Sequence, residues 1–398
     1  MLRRTLHTHL VEAAAALPVV TLTGPRQAGK TTLVRAAFPD LPYLSLESPD
    51  TRQRALDDPR GFLGALRDGA VLDEVQRAPD LLSYIQGIVD ADSRPRRFIL
   101  TGSQNLLLLE RVSQSLAGRA RILHLYPLAL SELEAREPWD PDTAPVPPPD
   151  RAVEGRSLHA TLHAGFYPRI HDRRLNPVEW LEDYRATYVE RDVRQIVNVQ
   201  NLDGFVRVLG LCAGRNGQVL NASSLGNDAG VDHTTVRRWL SILEASFLIT
   251  LLRPHHRNFG KRLIKSPKLY FLDPGLLCSL LGIRTADDLR VHASRGAVFE
   301  TFVLAELVKA YAHRGRRPPV YYWRDSSGRE IDFLLDQGTR LLAIEAKSGE
   351  TAPSAFFETL SWWRGLHDDP EAAPALLLYG GDESFTHRGI AARSWAVL

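Results

Sequence analysis

Val19-Val20-Thr21-Leu22-Thr23-Gly24-Pro25-Arg26-Gln27-Ala28-Gly29-Lys30-Thr31-Thr32-Leu33-Val34 reads as a strand, a glycine-bounded loop and the start of a helix. The loop has the spacing G-x-x-x-x-G-K-T, and its place between a strand and a helix is what makes that spacing informative. Glycines let backbone N–H groups turn inward around phosphate oxygens, and the helix N-terminus adds the positive end of its dipole. Lys30 is expected to reach the β and γ phosphates and Thr31 to offer its hydroxyl to Mg²⁺. Gly24, Pro25, Arg26, Gln27, Ala28, Gly29, Lys30, Thr31 and Thr32 are therefore the expected nucleotide-binding residues.

Working outward, residues 1 to about 135 alternate short apolar runs with helix-length segments. The runs are Val19 to Leu22, Tyr43 to Leu46, Ala70 to Leu72, Phe98 to Leu100 and Ile122 to Leu125. Such a pattern predicts a parallel sheet with helices on both faces. Ala70-Val71-Leu72 ends in Asp73-Glu74, where the first carboxylate is placed to hold Mg²⁺ through water and the second to act on the attacking water as catalytic base. Alone, that pair reads as a solvated strand end; paired with the phosphate loop it reads as chemistry. Phe98-Ile99-Leu100 ends in Thr101-Gly102-Ser103, so Thr101 and Ser103 are candidates for sensing the γ-phosphate, because ligands of parallel sheets gather at strand carboxyl ends, with plain strand-end polar residues as the alternative. Arg119 is a candidate for stabilising charge on the transferring phosphoryl group, on its own chain or a neighbour's, with a plain surface ion pair as the alternative.

The 398 residues are enough for two or three domains, and a formal net charge of +2 leaves any nucleic-acid argument to local clusters. Cys212 and Cys278 have no partners at disulfide or zinc spacing, and no apolar run reaches membrane-spanning length, which predicts a cytoplasmic protein. The basic residues are overwhelmingly Arg; the lysines are Lys30, Lys261, Lys265, Lys268, Lys309 and Lys347. There is no internal repeat. Residues 136–154 form a Pro-rich linker or hinge containing Pro145-Val146-Pro147-Pro148-Pro149. Residues 155–290 carry mainly helical periodicity and 291–398 return to a mixed pattern.

The set Gly24 to Thr32, Leu72-Asp73-Glu74-Val75-Gln76, Leu100-Thr101-Gly102-Ser103 and Leu116-Ala117-Gly118-Arg119 resembles a large prokaryotic family of AAA-type P-loop NTPases with a C-terminal domain of unknown function. Tyr188-Val189-Glu190-Arg191-Asp192-Val193 and Pro267-Lys268-Leu269-Tyr270-Phe271-Leu272-Asp273-Pro274-Gly275-Leu276 extend the resemblance over nearly the whole chain. It implies ATP as the nucleotide, and no guanine-reading Asn-Lys-x-Asp is present.

In the middle section, Leu220 to Leu248 reads as helix, a turn at Gly230, and a second helix entered at Asp232 as N-cap. A helix-turn-helix of this kind would present His233, Thr234, Arg237 and Arg238 to DNA. The acid-free run Arg253 to Lys268 falls where the wing of a winged helix would lie, and its Lys261, Arg262 and Lys265 are candidates for phosphate contact. Winged helical modules also bind proteins, so both partners stay open.

In the last section Asp332 and Glu345-Ala346-Lys347 lie on expected strands, with Glu300 on an expected helix from Ala297 to Ala312. Side chains two apart on a strand share a face, so Glu345 and Lys347 point together. Glu300, Asp332 and Glu345 are candidate Mg²⁺ ligands, with Lys347 as catalytic lysine, the equipment of phosphodiester hydrolysis; the alternative is an in-strand Glu-Lys ion pair on an exposed sheet face. Element order and the D…E-x-K spacing resemble the restriction-endonuclease-like superfamily. The whole reads as a multidomain α/β protein: a P-loop NTPase domain over 1–135, a winged-helix section over 155–290 and a restriction-endonuclease-like α/β domain over 291–398. It is expected to bind and hydrolyse ATP with Mg²⁺ in association with DNA, alone or as a homo-oligomer. The rival reading is a nucleotide-controlled switch or scaffold that binds protein partners and cuts nothing.

Overall fold

The computed structural model describes residues 2–102, 115–148, 156–187, 201–255, 266–367 and 373–398. They group into two compact units, one of Met1–Leu128 with Ala245–Phe247 and Tyr311–Arg317, the other of Ala129–Glu244, Leu248–Ala310 and Pro318–Leu398.

In the first unit the order is α1 (Leu6–Ala16), β1 (Val19–Thr23), α2 (Lys30–Ala37), β2 (Tyr43–Ser45), α3 (Pro49–Asp57), α4 (Pro59–Gly64), β3 (Ala70–Asp73), α5 (Leu81–Ala91), β4 (Phe98–Gly102) and β5 (Ala120–His124). The five strands form one sheet in the order β2-β3-β4-β1-β5, parallel at every pairing. Strand periodicity sorts its two faces. Val20, Leu22, Val71, Ile99 and Leu123 pack with Leu6, Leu10 and Ala14 of α1 and Leu33 and Val34 of α2. Val19, Ala70, Leu72, Phe98 and Leu100 pack on the other side with Ala55, Phe62, Leu63, Leu81, Leu82 and Ile85 of α3, α4 and α5. Each fully buried Val, Leu or Phe here contributes about 1.5–3 kcal/mol by leaving water. The expected parallel sheet between two helical layers is what the chain forms. Strand β4 lies between β1 and β3 and parallel to both, so the carboxyl ends of all three lie along one edge of the sheet.

In the second unit the helices Leu158–Ala164, Pro168–Asp172 and Pro177–Thr187 precede a group of three, Leu202–Gly214, Ala222–Ala229 and His233–Ala245. The last of these runs into an antiparallel pair, β6 (Ile249–Leu252) with β7 (Lys268–Phe271). Asn216 ties this group together. Its Oδ1 accepts from Phe271 N at 2.8 Å, and its Nδ2 donates to Ala297 O at 3.1 Å and Thr301 Oγ1 at 2.9 Å. Next to it, Gly217 N donates to Leu269 O at 2.7 Å.

The helices Pro274–Leu280, Ala286–Val291 and Arg295–Ala312 lead to β8 (Val320–Arg324), β9 (Glu330–Asp336), β10 (Leu341–Lys347), β11 (Ala375–Tyr379), β12 (Phe385–His387) and β13 (Ile390–Ser394). These make a mixed sheet in the order β12-β13-β11-β10-β9-β8, antiparallel from β8 to β10 and parallel from β10 through β11 to β13. Leu360 and Trp363 of helix Glu358–Arg364 pack on it with Trp323, Leu341, Ala343, Ala375 and Leu377.

The described part of the Pro-rich segment carries no strand or long helix, as proline's missing N–H requires. It is nevertheless anchored. Trp139 is buried, Arg136 donates to Ala396 O at 2.8 Å, and the carbonyls of Pro141 and Pro147 accept from Gln337 and Arg393 at 2.7 and 2.9 Å.

Candidate functional site

The phosphate loop sits where β1 gives way to α2, and its backbone needs glycine. Gly24 has φ 152°, and a Cβ there would meet Leu125 O at 2.0 Å. Gly29 turns the chain into α2 at φ 94°, a left-handed value at the first cap position. Arg4, buried just before α1, clamps the loop from outside the motif: Nη1 donates to Ala28 O at 2.7 Å and Nη2 to Tyr126 O at 2.6 Å.

Lys30 is 6 % exposed, and its Nζ donates to Gly24 O and Pro25 O, each at 2.8 Å. Burial pulls its pKa down to about 8, with Glu74 and Asp73 opposing the shift and Arg26 adding to it. The first carboxylate of the β3 pair is a hub. Asp73 Oδ2 accepts from Thr31 Oγ1 at 3.1 Å and from the Tyr43 hydroxyl, while Oδ1 accepts from Thr101 Oγ1. Glu74 takes left-handed backbone at φ 59°, and its Oε2 accepts from Gln76 Nε2. The Thr31 hydroxyl beside the Asp73 carboxylate is a hard oxygen donor pair of the kind Mg²⁺ takes, leaving its other positions to water and phosphate. The residues therefore fit the cation that a bound nucleotide brings.

Thr101 thus joins the cluster from β4, as its position between β1 and β3 allows. Ser103 lies outside the described residues. Arg119 does not join it. Its carbonyl accepts from Val19 N at the amino end of the sheet, a strand length of roughly 15 Å from the loop, and its guanidinium pairs with Asp90. Within one chain it faces away from the phosphate loop. Sequence reasoning missed Tyr43 and Arg4, because nothing in a lone strand tyrosine or an N-terminal arginine announces what lies across the fold.

A second polar centre occupies the other unit. Lys347 Nζ donates to Glu345 Oε2 at 2.6 Å and to Asp332 Oδ2 at 3.3 Å, and Ala346 N donates to Asp332 Oδ2 at 3.0 Å. Glu345 is 3 % exposed, with its Oε1 buried and unpartnered. Burial first and Asp332 second push its carboxyl well above the usual range. Burial opposes the charge on Lys347, yet Asp332 and Glu345 outweigh it and hold that amine above its ordinary value. Glu300 Oε2 accepts from Tyr270 OH at 2.9 Å; burial and then Asp332 push Glu300 up to about 7. Lys268 pairs with Glu330, two residues before Asp332. The structure so brings Asp332, Glu345 and Lys347 into direct contact, with Glu300 close by and bonded to Tyr270. Among the described residues, no three His, Cys, Asp or Glu side chains are disposed to hold a metal ion.

Of the nucleic-acid candidates, His233, Thr234, Arg237 and Arg238 are exposed on helix His233–Ala245, with Asp232 accepting from the backbone N of Thr234 and Thr235 at 2.9 and 3.0 Å. The Thr234 hydroxyl is itself bonded to Asp232. Lys261, Arg262 and Lys265 lie outside the described residues, as does the segment Tyr188 to Val193. Among the described residues, no helix is long and apolar enough to cross a membrane.

Residues 17–134 match the model of a family described as AAA domain, residues 155–287 a domain of unknown function (DUF8612), and residues 295–396 another (DUF4143). The chain is 32% identical over 385 residues to the uncharacterized proteins Rv2008c of Mycobacterium tuberculosis and Mb2031c of Mycobacterium bovis, covering 96% of this chain and 81% of each of theirs. Among solved structures it is similar to the Walker-type ATPase PABY2304 of Pyrococcus abyssi, at 15% identity over 69% of this chain and 94% of that one, with a TM-score of 0.41.

Proposed function

The chain belongs to the family of these mycobacterial proteins, with an AAA-type P-loop ATPase domain and a DUF4143 C-terminal domain, and from that premise we propose that it binds and hydrolyses ATP in association with DNA. The observation that carries the ATPase reading is the convergence of Thr31, Thr101 and Asp73 beside a buried Lys30. Lys30 and the loop's N–H groups hold the β and γ phosphates, and Glu74 accepts a proton from, and so orients, the attacking water. Thr31 and Asp73 would hold Mg²⁺, which when bound would supply neutralising charge on the phosphate oxygens. Lys30→Ala should abolish nucleotide binding, whereas Glu74→Gln should still bind ATP and turn it over on the order of 10²–10⁴ times more slowly. Normal turnover in both variants would sink this assignment. Because Arg119 is a strand length from the loop, its catalytic role in this reading is exerted on a second copy of the chain.

DNA is the partner that three short helices followed by an antiparallel strand pair favour, since a winged helix-turn-helix has that order and Arg237 and Arg238 stand exposed on its second motif helix. The buried free thiols of Cys212 and Cys278 agree with a cytoplasmic setting.

A second activity is favoured by the buried, unpartnered Glu345 Oε1, on the carboxylate whose other oxygen accepts from Lys347. On this reading residues 291–398 are a restriction-endonuclease-like domain: Asp332 and Glu345 would hold a divalent cation and Lys347 would orient the water that attacks a phosphodiester, while Glu300, bonded to Tyr270, does not complete a three-carboxylate set. Plasmid and linear DNA incubated with Mg²⁺ or Mn²⁺, with and without ATP, test it. Cleavage lost in Asp332→Ala establishes the nuclease. Intact ATPase activity with no cleavage under any condition assigns the chain instead to the class of nucleotide-controlled switches or scaffolds.

A further inference from the structure

Asp73 is held by two partners that the phosphate-loop motif does not contain, Thr101 on β4 and Tyr43 on β2, and Tyr43 lies on neither of the strands that carry the motif residues. Tyr43 opens β2 at the edge of the sheet, and its register partner on β3 is Val71, two residues short of Asp73. Tyr43 packs against the Val71 face, which α2 covers, and Asp73 shares that face by strand periodicity. From there the phenol hydroxyl donates to Asp73 Oδ2, the same oxygen that accepts from Thr31 Oγ1. The ring is fixed in turn by Arg35, one turn along α2 from Thr31, whose guanidinium carbon lies 4.6 Å from the ring centre.

Resting on the ATP reading above, we propose that Tyr43 is a positioning residue for the nucleotide's divalent cation: from the edge strand it holds the Asp73 carboxylate against Thr31, so that carboxylate and hydroxyl meet Mg²⁺ as one preset pair. Without the phenol hydroxyl, one oxygen of Asp73 loses a charge-assisted hydrogen bond and the carboxylate gains rotational freedom that cation binding must remove. A loss of that kind corresponds to roughly a tenfold weaker response to the cation.

The test follows binding of a fluorescent ATP analogue to the full chain, first in EDTA and then through a Mg²⁺ titration. Wild type should bind in EDTA and tighten as Mg²⁺ is added. Tyr43→Phe, which keeps the ring beside Arg35, should match wild type in EDTA within about twofold and need roughly ten times more Mg²⁺ for half of the gain. Asp73→Asn should lose the gain altogether. A wild-type Mg²⁺ profile in Tyr43→Phe overturns the proposal, and so does an equal loss with and without Mg²⁺, which would mark a structural role alone. No nucleotide binding by wild type under either condition would instead sink the ATP reading, and this inference with it.

Discussion

Lys268 on β7 and Glu330 on β9 form an ion pair between a strand of the antiparallel pair and a strand of the C-terminal sheet. The lysine belongs to the acid-free run Arg253 to Lys268, yet it is 3 % exposed, with its Nζ 5.5 Å from the centre of the Tyr322 ring. Its charge is spent inside the fold and not on an external phosphate.

Among the described residues, removing that charge leaves Glu330 with Arg324, at 3.5 Å, as its remaining ion-pair partner. Lys268→Met should therefore destabilise the chain by roughly 2–3 kcal/mol, less than for a fully enclosed pair because Glu330 reaches solvent. Lys268→Met with Glu330→Gln should recover at least half of that. Chemical denaturation of the two variants and Glu330→Gln completes the cycle, and additive effects would disprove the coupling.

Nucleotide affinity should fall as pH rises through about 8, because Lys30 in the free protein gives up its proton there and a neutral amine does not attract phosphate. The loss should approach tenfold per pH unit above that point. Lys30→Arg, whose charge does not titrate in this range, should bind more weakly at pH 7 but show a flat profile from pH 7 to 9.5. Fluorescent-nucleotide titrations across that range would check both.

Arg237 and Arg238, exposed on helix His233–Ala245, should each contribute phosphate contacts if the helix engages DNA. Replacing both by Ala should weaken duplex binding and flatten the slope of log affinity against log salt by about 1–2. Unchanged affinity and slope would point the helix toward a protein partner.

His124 links stability to pH. Burial lowers its pKa from 6.5 to about 4, and its Nδ1 is buried without a hydrogen-bond partner. The unfolded chain takes the proton first, so the contribution is fully present above pH 6.5 and is lost as pH falls toward 4. Because the ring keeps a partly exposed edge, the loss between pH 7 and 5 should be roughly 1–2 kcal/mol. His124→Phe, keeping contact with Phe247 at 5.6 Å between ring centres, should remove that part of the slope in denaturant midpoints.

The first sheet was legible because its strands are buried on both faces, which leaves continuous apolar runs such as Phe98 to Leu100 and Ala70 to Leu72. The phosphate loop was legible because backbone geometry confines Gly24 and Gly29 to glycine. Strand β12 was not, since Phe385–His387 is short, exposed at the edge and without alternation, and Ile390–Ser394 carries alanines where β-formers would announce a strand. Tyr43, Arg4, Lys268 and Tyr270 escaped for a different reason. Their partners lie 24 to 122 residues away in sequence, so their roles exist only once the strands have found their order.

Asn216-Gly217 is the dipeptide most prone to spontaneous deamidation, in which the glycine nitrogen closes a ring on the asparagine side chain. Here both reactants are engaged: the amide is shared among Phe271, Ala297 and Thr301, and the glycine N–H is bound to Leu269. Folding therefore acts as a chemical preservative at this position. Isoaspartate at residue 216 in an aged preparation would record how much time its molecules had spent with this junction open.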